Sequence, residues 1–501
     1  MIRSIVLGGA ALATVFASPA FGETLQQALR QAYDSNPTIT GARAGQRALD
    51  ESVPLARANG LPSANVETDY TENVVKGANA YLAPSRSLTV SPQISVPIYA
   101  GGGVRNSIKA AKTRVEAGQA NLRETEAELF TAVVGAYMDV IRDEAIVGLN
   151  AQNVHVLEVN LKATNDRFQV GDLTKTDVAQ SQARLAQARS DLETAQSNLI
   201  ASRENYVRLI GTPPGELEPP PALPLLPRSP EEAVQIALDD NPTLLAAQKT
   251  SDAYGYDVKA ARADRLPKLS LFGSGTYFNY LGTLQGAGEV GRSPNSGKSA
   301  EAGVRLTVPL YQGGRPAAEV RQAQAYQSQA IEQATGAERQ VIDDARSNFA
   351  AWQAAEQVIK SSQVAVDANR LSLQGVRAEN SVGNRTILDI LNAEQELLNS
   401  QVTLVSAQRD AYVAGFALLA SMGHAEAKDL GLASGGLYNP LANFNRVNHK
   451  MWDWDEDPTP KPVATGTANT PTQGADVHES AVPTLDSPID SGVPNPAVTG
   501  G

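Results

Sequence analysis

The sequence has no cysteine, only nine phenylalanines and three tryptophans in 501 residues, and, past its N-terminal stretch, no window of 18 apolar residues. Each shortage excludes something. Without cysteine there are no disulfides and no lipid-bearing N-terminal Cys. With so little aromatic bulk the chain is not built as one large globule; its abundant Ala, Gln, Ser and Asn suit long helices packed through small side chains. Without a long apolar run, any passage through a membrane has to be made by β-strands. The formal net charge of −12 argues against a nucleic-acid partner, which calls for a basic face. Catalytic constellations are missing as well. His155, His424, His449 and His478 are scattered without metal-ligand spacing, and Gly101-Gly102-Gly103 lacks the following Lys-Ser/Thr of a phosphate loop. No metal, cofactor or enzymatic activity is expected, and the glycine run is read as a bend from strand into helix.

What is present begins with a secretory signal over residues 1–22. Arg3 supplies the positive start, Ile5 to Phe16 the apolar stretch, and Ala20-Phe21-Gly22 a small-x-small cleavage site before Glu23. The apolar stretch is too short to span a bilayer as a helix.

An internal repeat organises the remainder. Thr24-Leu25-Gln26-Gln27-Ala28-Leu29 through Asn36-Pro37-Thr38 matches Ser229-Pro230-Glu231-Glu232-Ala233-Val234 through Asn241-Pro242-Thr243, at an offset of 205. From Val96-Pro97-Ile98-Tyr99 against Val308-Pro309-Leu310-Tyr311 onward the offset is 212. The seven extra residues are expected in the Gly/Ser/Asn-rich loop near 278–299, where a duplicated unit tolerates insertion. The first copy spans 23–211, with a helix, a β-hairpin at 63–97, a long helix at 104–168 and a return helix at 174–210. A Pro-rich linker, 212–228, leads to the second copy, 229–423. This carries a helical segment over about 230–260, a hairpin at 268–309, a long helix at 316–380 and a return helix at 386–422. A C-terminal extension, 424–501, turns to Pro, Thr, Ala, Asp and Gly and reads as disordered from about residue 440.

The hairpins alternate with period two. Ala64, Val66, Thr68 and Tyr70 oppose Ser63, Asn65, Glu67 and Asp69, and Ala302, Val304, Leu306 and Val308 oppose Glu301, Gly303, Arg305 and Thr307. Such alternation over about ten residues fits a barrel strand with a lipid face and a wet face. A soluble half-buried hairpin would show it too, but the signal and the repeat favour lipid. Four strands cannot close a barrel, and an open edge in hydrocarbon leaves backbone groups unpaired at several kcal/mol each. The chain must therefore oligomerise. Two copies give eight strands, a bore filled by side chains; three give twelve, wide enough for a pore. The long helices extend the picture: 65 residues at 1.5 Å rise make roughly 98 Å. On the return helices, Val178, Leu185, Leu192, Leu199 and Tyr206 recur every seven residues, with small Ser181, Ala188, Ala195 and Ser202 three positions on. The second copy repeats this from Ile390 to Leu418, and a large-small seam of this kind suits an antiparallel coiled coil.

Arg167-Phe168-Gln169-Val170-Gly171 leading to Thr176-Asp177-Val178, and Ser381-Val382-Gly383-Asn384-Arg385-Thr386-Ile387-Leu388-Asp389, resemble the TolC family. So do the Leu-Pro and Val-Pro-(Ile/Leu)-Tyr-x-Gly-Gly landmarks around each hairpin, and the set runs in order through about 23–425. The resemblance implies an α+β membrane protein: a homotrimer whose twelve strands, four per chain, form an outer-membrane barrel. Long antiparallel helices would continue it across the periplasm to a closed tip. It also implies an export duct docking onto an inner-membrane transporter, ABC or RND, and its periplasmic adaptor, for protein secretion or drug efflux. The early Thr-Leu-x-x-Ala-Leu…Asn-Pro pattern resembles secretion-type members. An exported coiled-coil scaffold without a pore is the alternative.

At the tip, Gly171 and Gly383 read as helix-terminating residues and Thr174 and Thr386 as N-caps completed by Asp177 and Asp389. The family resemblance adds a second reading. Asp389 would ring the periplasmic entrance with its symmetry copies; the second Asp that commonly follows one turn later is Asn392 here, which halves the ring's charge. Thr176 and Asp177 would latch the tip through Arg385, with Asn380 standing where the family has a Tyr.

Overall fold

The computed structural model describes residues 22–76, 83–224, 226–284, 294–432 and 436–477. The signal call on 1–22 therefore lies outside the described residues except for its last position, and part of the expected insertion loop lies outside them as well.

Local capping explains how each copy begins. Thr24 and Gln27 exchange side-chain and backbone hydrogen bonds at the start of α1, Leu25–Ser35, in a reciprocal capping box. Asn36-Pro37 then ends that helix and opens α2, Pro37–Asp50. The Asn36 side chain accepts from Thr38 N–H at 2.8 Å and donates to the Leu209 carbonyl at 2.7 Å. A short α3, Ser52–Ala58, leads into strands β1, Ser63–Glu72, and β2, Arg86–Ala100, followed by α4, Gly103–Gln169, and α5, Lys175–Ile210. In the second copy Ser229 caps α6, Pro230–Asp240, and Asn241 caps α7, Pro242–Ala263, while donating to the Ser421 carbonyl at 2.9 Å. The 230–260 stretch is thus two helices rather than one, because a residue before proline disfavours the helical region and proline has no N–H to give. Both Asn-Pro landmarks do the same work: each starts a helix and ties it to the end of its copy's return helix.

β3, Lys268–Asn279, and β4, Ser296–Thr307, follow, then α8, Arg315–Ser381, and α9, Ile387–Ser421. The four strands form one antiparallel sheet in the order β1-β2-β3-β4. The register sets apolar on apolar: Val66 opposite Pro92, Tyr70 opposite Leu88, Val96 opposite Leu271, and Leu271 opposite Val304. The other face pairs Asn65 with Gln93, Glu67 with Ser91, and Ser270 with Arg305. One face is predominantly apolar across all four strands and the other predominantly polar, and among the described residues the outer edges of β1 and β4 have no strand partner.

α4 and α8 each have 67 residues, about 100 Å at 1.5 Å per residue. Both open on a left-handed glycine, Gly102 and Gly314, with φ of +80°. Among the described residues, no helix is long and apolar enough to cross a membrane. α4 packs against α5, α7 and α9, and buries side chains along its length; α8 packs on α7 and α9 but leaves Tyr326, Ile331, Val358, Val364 and Leu371 exposed. The main core lies midway along α4, where Phe130, Val133 and Tyr137 meet Leu29 and Tyr33 of α1, Leu199, Tyr206 and Ile210 of α5, and Phe416 of α9. Tyr137 donates to the Glu23 and Glu218 carbonyls at 2.8 and 2.6 Å, pinning the parallel bridge between Glu23 and Leu217. Burial pushes that phenol's pKa well up, so it stays a donor.

The extension departs from the expectation of disorder from about residue 440. Asn439 caps α10, Pro440–Val447, whose Val447 is buried and whose Phe444 packs beside Val53, Ala111 and Val115. Farther on, Arg203 donates to the carbonyls of Gly474 and Asp476 at 2.7 and 2.9 Å. A Pro/Asp-rich composition cannot build its own core, but here it borrows one from α2, α3 and α4. Residues 478–501 lie outside the described residues.

Candidate pore entrance at the helix tips

Each long helix reverses through the same backbone device. α4 ends at Gln169, and Gly171, at φ +81°, sends its N–H to the Phe168 carbonyl while Asp172 reaches Arg167. At the end of α8, Gly383, at φ +83°, reaches Asn380 and Asn384 reaches Glu379. This pair of bonds is the Schellman closure, and it needs a residue free to adopt the left-handed region.

Three residues later the return helices start on reciprocal caps. Thr174 donates to Asp177 Oδ2 through its N–H at 2.8 Å and its hydroxyl at 2.7 Å, and Asp177 N–H returns to Thr174 Oγ1 at 3.3 Å. Thr386 and Asp389 repeat this at 2.9, 2.8 and 3.3 Å. The bonds donated by Thr174 hold the Asp177 carboxyl below its ordinary range, and those donated by Thr386 do the same for Asp389, with a smaller pull from Arg385. Both carboxylates are therefore ionised and fixed in direction.

The other tip residues fall as follows. Arg385 Nε donates to Glu379 Oε2 at 2.7 Å, which holds the guanidinium's pKa up. Asn380 donates to the Arg385 carbonyl at 2.7 Å. Thr176 is exposed on the first turn of α5, and Asn392 accepts from Arg184 at 2.8 Å. Within one chain, then, Arg385 is engaged by its own hairpin rather than by Thr176 or Asp177. Sequence reading passed over Glu394, which is buried and links three helices: Asn160 of α4 donates to its two oxygens at 3.1 Å each, and Arg377 of α8 donates at 3.0 Å. It occupies the helix face next to the heptad seam, where an acidic residue reads as solvated. On the sheet's polar face it also passed over Phe272, whose ring lies 4.7 Å under the Arg305 guanidinium.

Two long antiparallel hairpins with matching tips, mounted under a sheet with one apolar face, make a distinctive arrangement. The pattern of the outer membrane efflux protein family matches it over residues 28–212 and 233–424, one match per copy. The chain belongs to that family. It is similar to the outer membrane efflux protein BepC of Brucella suis, 32% identical over 431 residues that cover 86% of this chain and 92% of that one. It is also similar to the outer membrane protein TolC of Escherichia coli, 26% identical over 443 residues, 85% of this chain and 87% of that one. Among solved structures, the outer membrane protein VceC of Vibrio cholerae superposes with a TM-score of 0.68 over 80% of this chain and 96% of that one, at 22% identity. The fold is that of the TolC-type channels, and the family places the chain in the outer membrane as an export channel protein. Its relatives are channel proteins, not enzymes.

Proposed function

We propose that three copies of the chain close a twelve-stranded barrel in the outer membrane, continued by a helical duct to a constriction at the tips. Through it, secreted proteins, small toxic compounds or both would leave the cell, delivered by an inner-membrane ABC or RND transporter and a periplasmic adaptor. One observation carries the reading: among the described residues the sheet has a predominantly apolar face across four strands and two unpaired edges, a state that hydrocarbon does not tolerate. The apolar side chains left exposed on α8 support it, since they lie on the helix at the chain's free flank. A scaffold without a pore would leave that face without purpose. The two separate on fractionation: a detergent-requiring trimer from the outer membrane supports the duct, and a buffer-soluble rod sinks it. Deleting the gene and measuring secreted proteins and drug sensitivity side by side assigns the cargo.

Asp389 is the constriction residue in this proposal. Asp389→Ala should weaken block by polyvalent cations in single-channel recordings, by roughly tenfold in dissociation constant; unchanged block removes Asp389 from the narrows. The cap also sets a pH dependence. A carboxyl whose folded pKa is depressed keeps its contribution above the unfolded pKa and loses it only as pH falls through the lowered value. Block should therefore persist to a lower pH than an uncapped carboxylate would allow, and Thr386→Val should move its loss to higher pH; an unmoved pH profile would mean that repulsion among the three copies outweighs Thr386.

Arg385, with Thr176 and Asp177 of an adjacent tip and Asn380 behind it, forms the latch. Arg385→Ser should raise the resting conductance, and wild-type conductance would count against the latch. Asn380 cannot supply the phenol that the family's Tyr would, so the resting duct is expected to be leakier than one with the full set.

A further inference from the structure

The two copies differ in what covers the turn from hairpin to long helix. In the first copy that turn sits on the second: a Cβ at Gly101 would meet the Ala263 carbonyl at 2.7 Å and Leu266 at 2.9 Å. Gly313 is its repeat equivalent, with the same φ of +62°, yet among the described residues nothing lies within 4 Å of its Cβ position. The adjoining apolar pair agrees. Ile98 and Tyr99 are 55% and 51% exposed, whereas Leu310 and Tyr311 are 93% and 88% exposed. The offset of 205 converts the seat at Ala263 and Leu266 into Ala58 and Leu61.

Ala58 and Leu61 line an open cleft of about 660 Å³, and its other wall belongs to neither repeat: it is Met451, Trp452 and Asp453 of the C-terminal segment. That segment is fastened in place. Arg57 donates to the Asn448 side chain at 2.9 Å and to its carbonyl. Arg446 pairs with Asp457 at 2.6 Å and Lys450 with Asp455 at 3.0 Å, drawing 446–457 into a turn. Its apex exposes Trp452 and Trp454, two of the chain's three tryptophans, among Asp453, Asp455, Glu456 and Asp457. Just past Leu310 and Tyr311, α8 opens with Arg315 and then Arg321, both exposed, so apolar surface and charge complement each other.

We propose that the 446–457 turn is an intersubunit clasp. The cleft beside Ala58 and Leu61 receives Leu310 and Tyr311 of a second copy of this chain. Met451 and Trp452 close over them, and the acidic run faces the start of that copy's α8. The clasp rests on the ring-closure reading above, and the test separates the two. Because the chain has no cysteine, engineered pairs are unambiguous. Tyr311→Cys with Leu61→Cys reports ring closure, and Tyr311→Cys with Trp452→Cys reports the clasp. After oxidation of the full-length protein in its membrane, both pairs should give covalent dimers and trimers on denaturing gels, and each single variant only monomer. Cross-linking by the Leu61 pair without the Trp452 pair overturns the clasp and leaves the ring; failure of both overturns the two together. In a second measurement, Trp452→Ala with Trp454→Ala should lower the temperature at which the detergent-resistant trimer dissociates. An unchanged temperature, with tryptophan emission quenched by brominated phosphatidylethanolamine vesicles, would assign the turn to the lipid surface and overturn the clasp.

Discussion

Phe130→Ala is expected to destabilise the protein by roughly 3–5 kcal/mol, the range for truncating a fully buried aromatic ring. Phe130 is 0% exposed and sits where α1, α4, α5 and α9 converge, with its ring centroid 6.1 Å from that of Tyr33. The site cannot collapse readily around the void. α4 runs through it, and Tyr137, two turns farther along the same face, is fixed by two carbonyls. A chain with so few aromatics has little other bulk to move in. Thermal melts of the detergent-solubilised protein, followed by circular dichroism, should show a large fall in the midpoint. Phe168→Ala at the exposed tip should stay within about 0.5 kcal/mol of the parent, as surface changes do. Equal midpoints for the two variants would mean that the middle of α4 is not where cohesion resides.

Much of this fold is legible in the sequence because it is periodic. Alternation in the hairpins predicts which residues share a face, and the register pairs them so: Val66, Val96, Leu271 and Val304 lie on one side. The long helices are readable because nothing interrupts them, and their ends because glycine and Thr-x-x-Asp mark them. What escaped depends on contacts between distant segments. Composition alone gave the tail beyond residue 440 no core, and the surface offered by Val53, Ala111 and Val115 provides one for Phe444. Glu394 escaped for the same reason, since Asn160 and Arg377 come to it from two other helices. The break at Asn241-Pro242 was visible as a repeat landmark, yet its consequence, a split helix, follows from backbone sterics rather than periodicity. At the tip, Asp177 and Asp389 were read twice over, as caps and as constriction or latch. The capping bonds are present within one chain, while the constriction and the latch require neighbours.

Gly101→Ala and Gly313→Ala should fail differently, although the two glycines share one conformation. Alanine at φ +62° costs about 1–2 kcal/mol in either place, because its Cβ crowds the following carbonyl. At Gly101 a second cost arises within the chain. The new methyl would lie 2.7 Å from the Ala263 carbonyl, which is backbone and cannot swing aside, and overpacking of this kind adds roughly 1–3 kcal/mol. Gly101→Ala should therefore reduce the amount of folded chain itself. At Gly313 the space is open in a single chain, so folding bears only the first cost, and the second appears when another copy's Ala58 and Leu61 close on the turn. Gly313→Ala should consequently let folded monomer accumulate while detergent-resistant trimer falls, on gels of unheated samples. Full trimer yield from Gly313→Ala would mean that the repeat's internal seat is not reused between subunits, and the route from a duplicated sequence to a closed ring would have to run through some other surface.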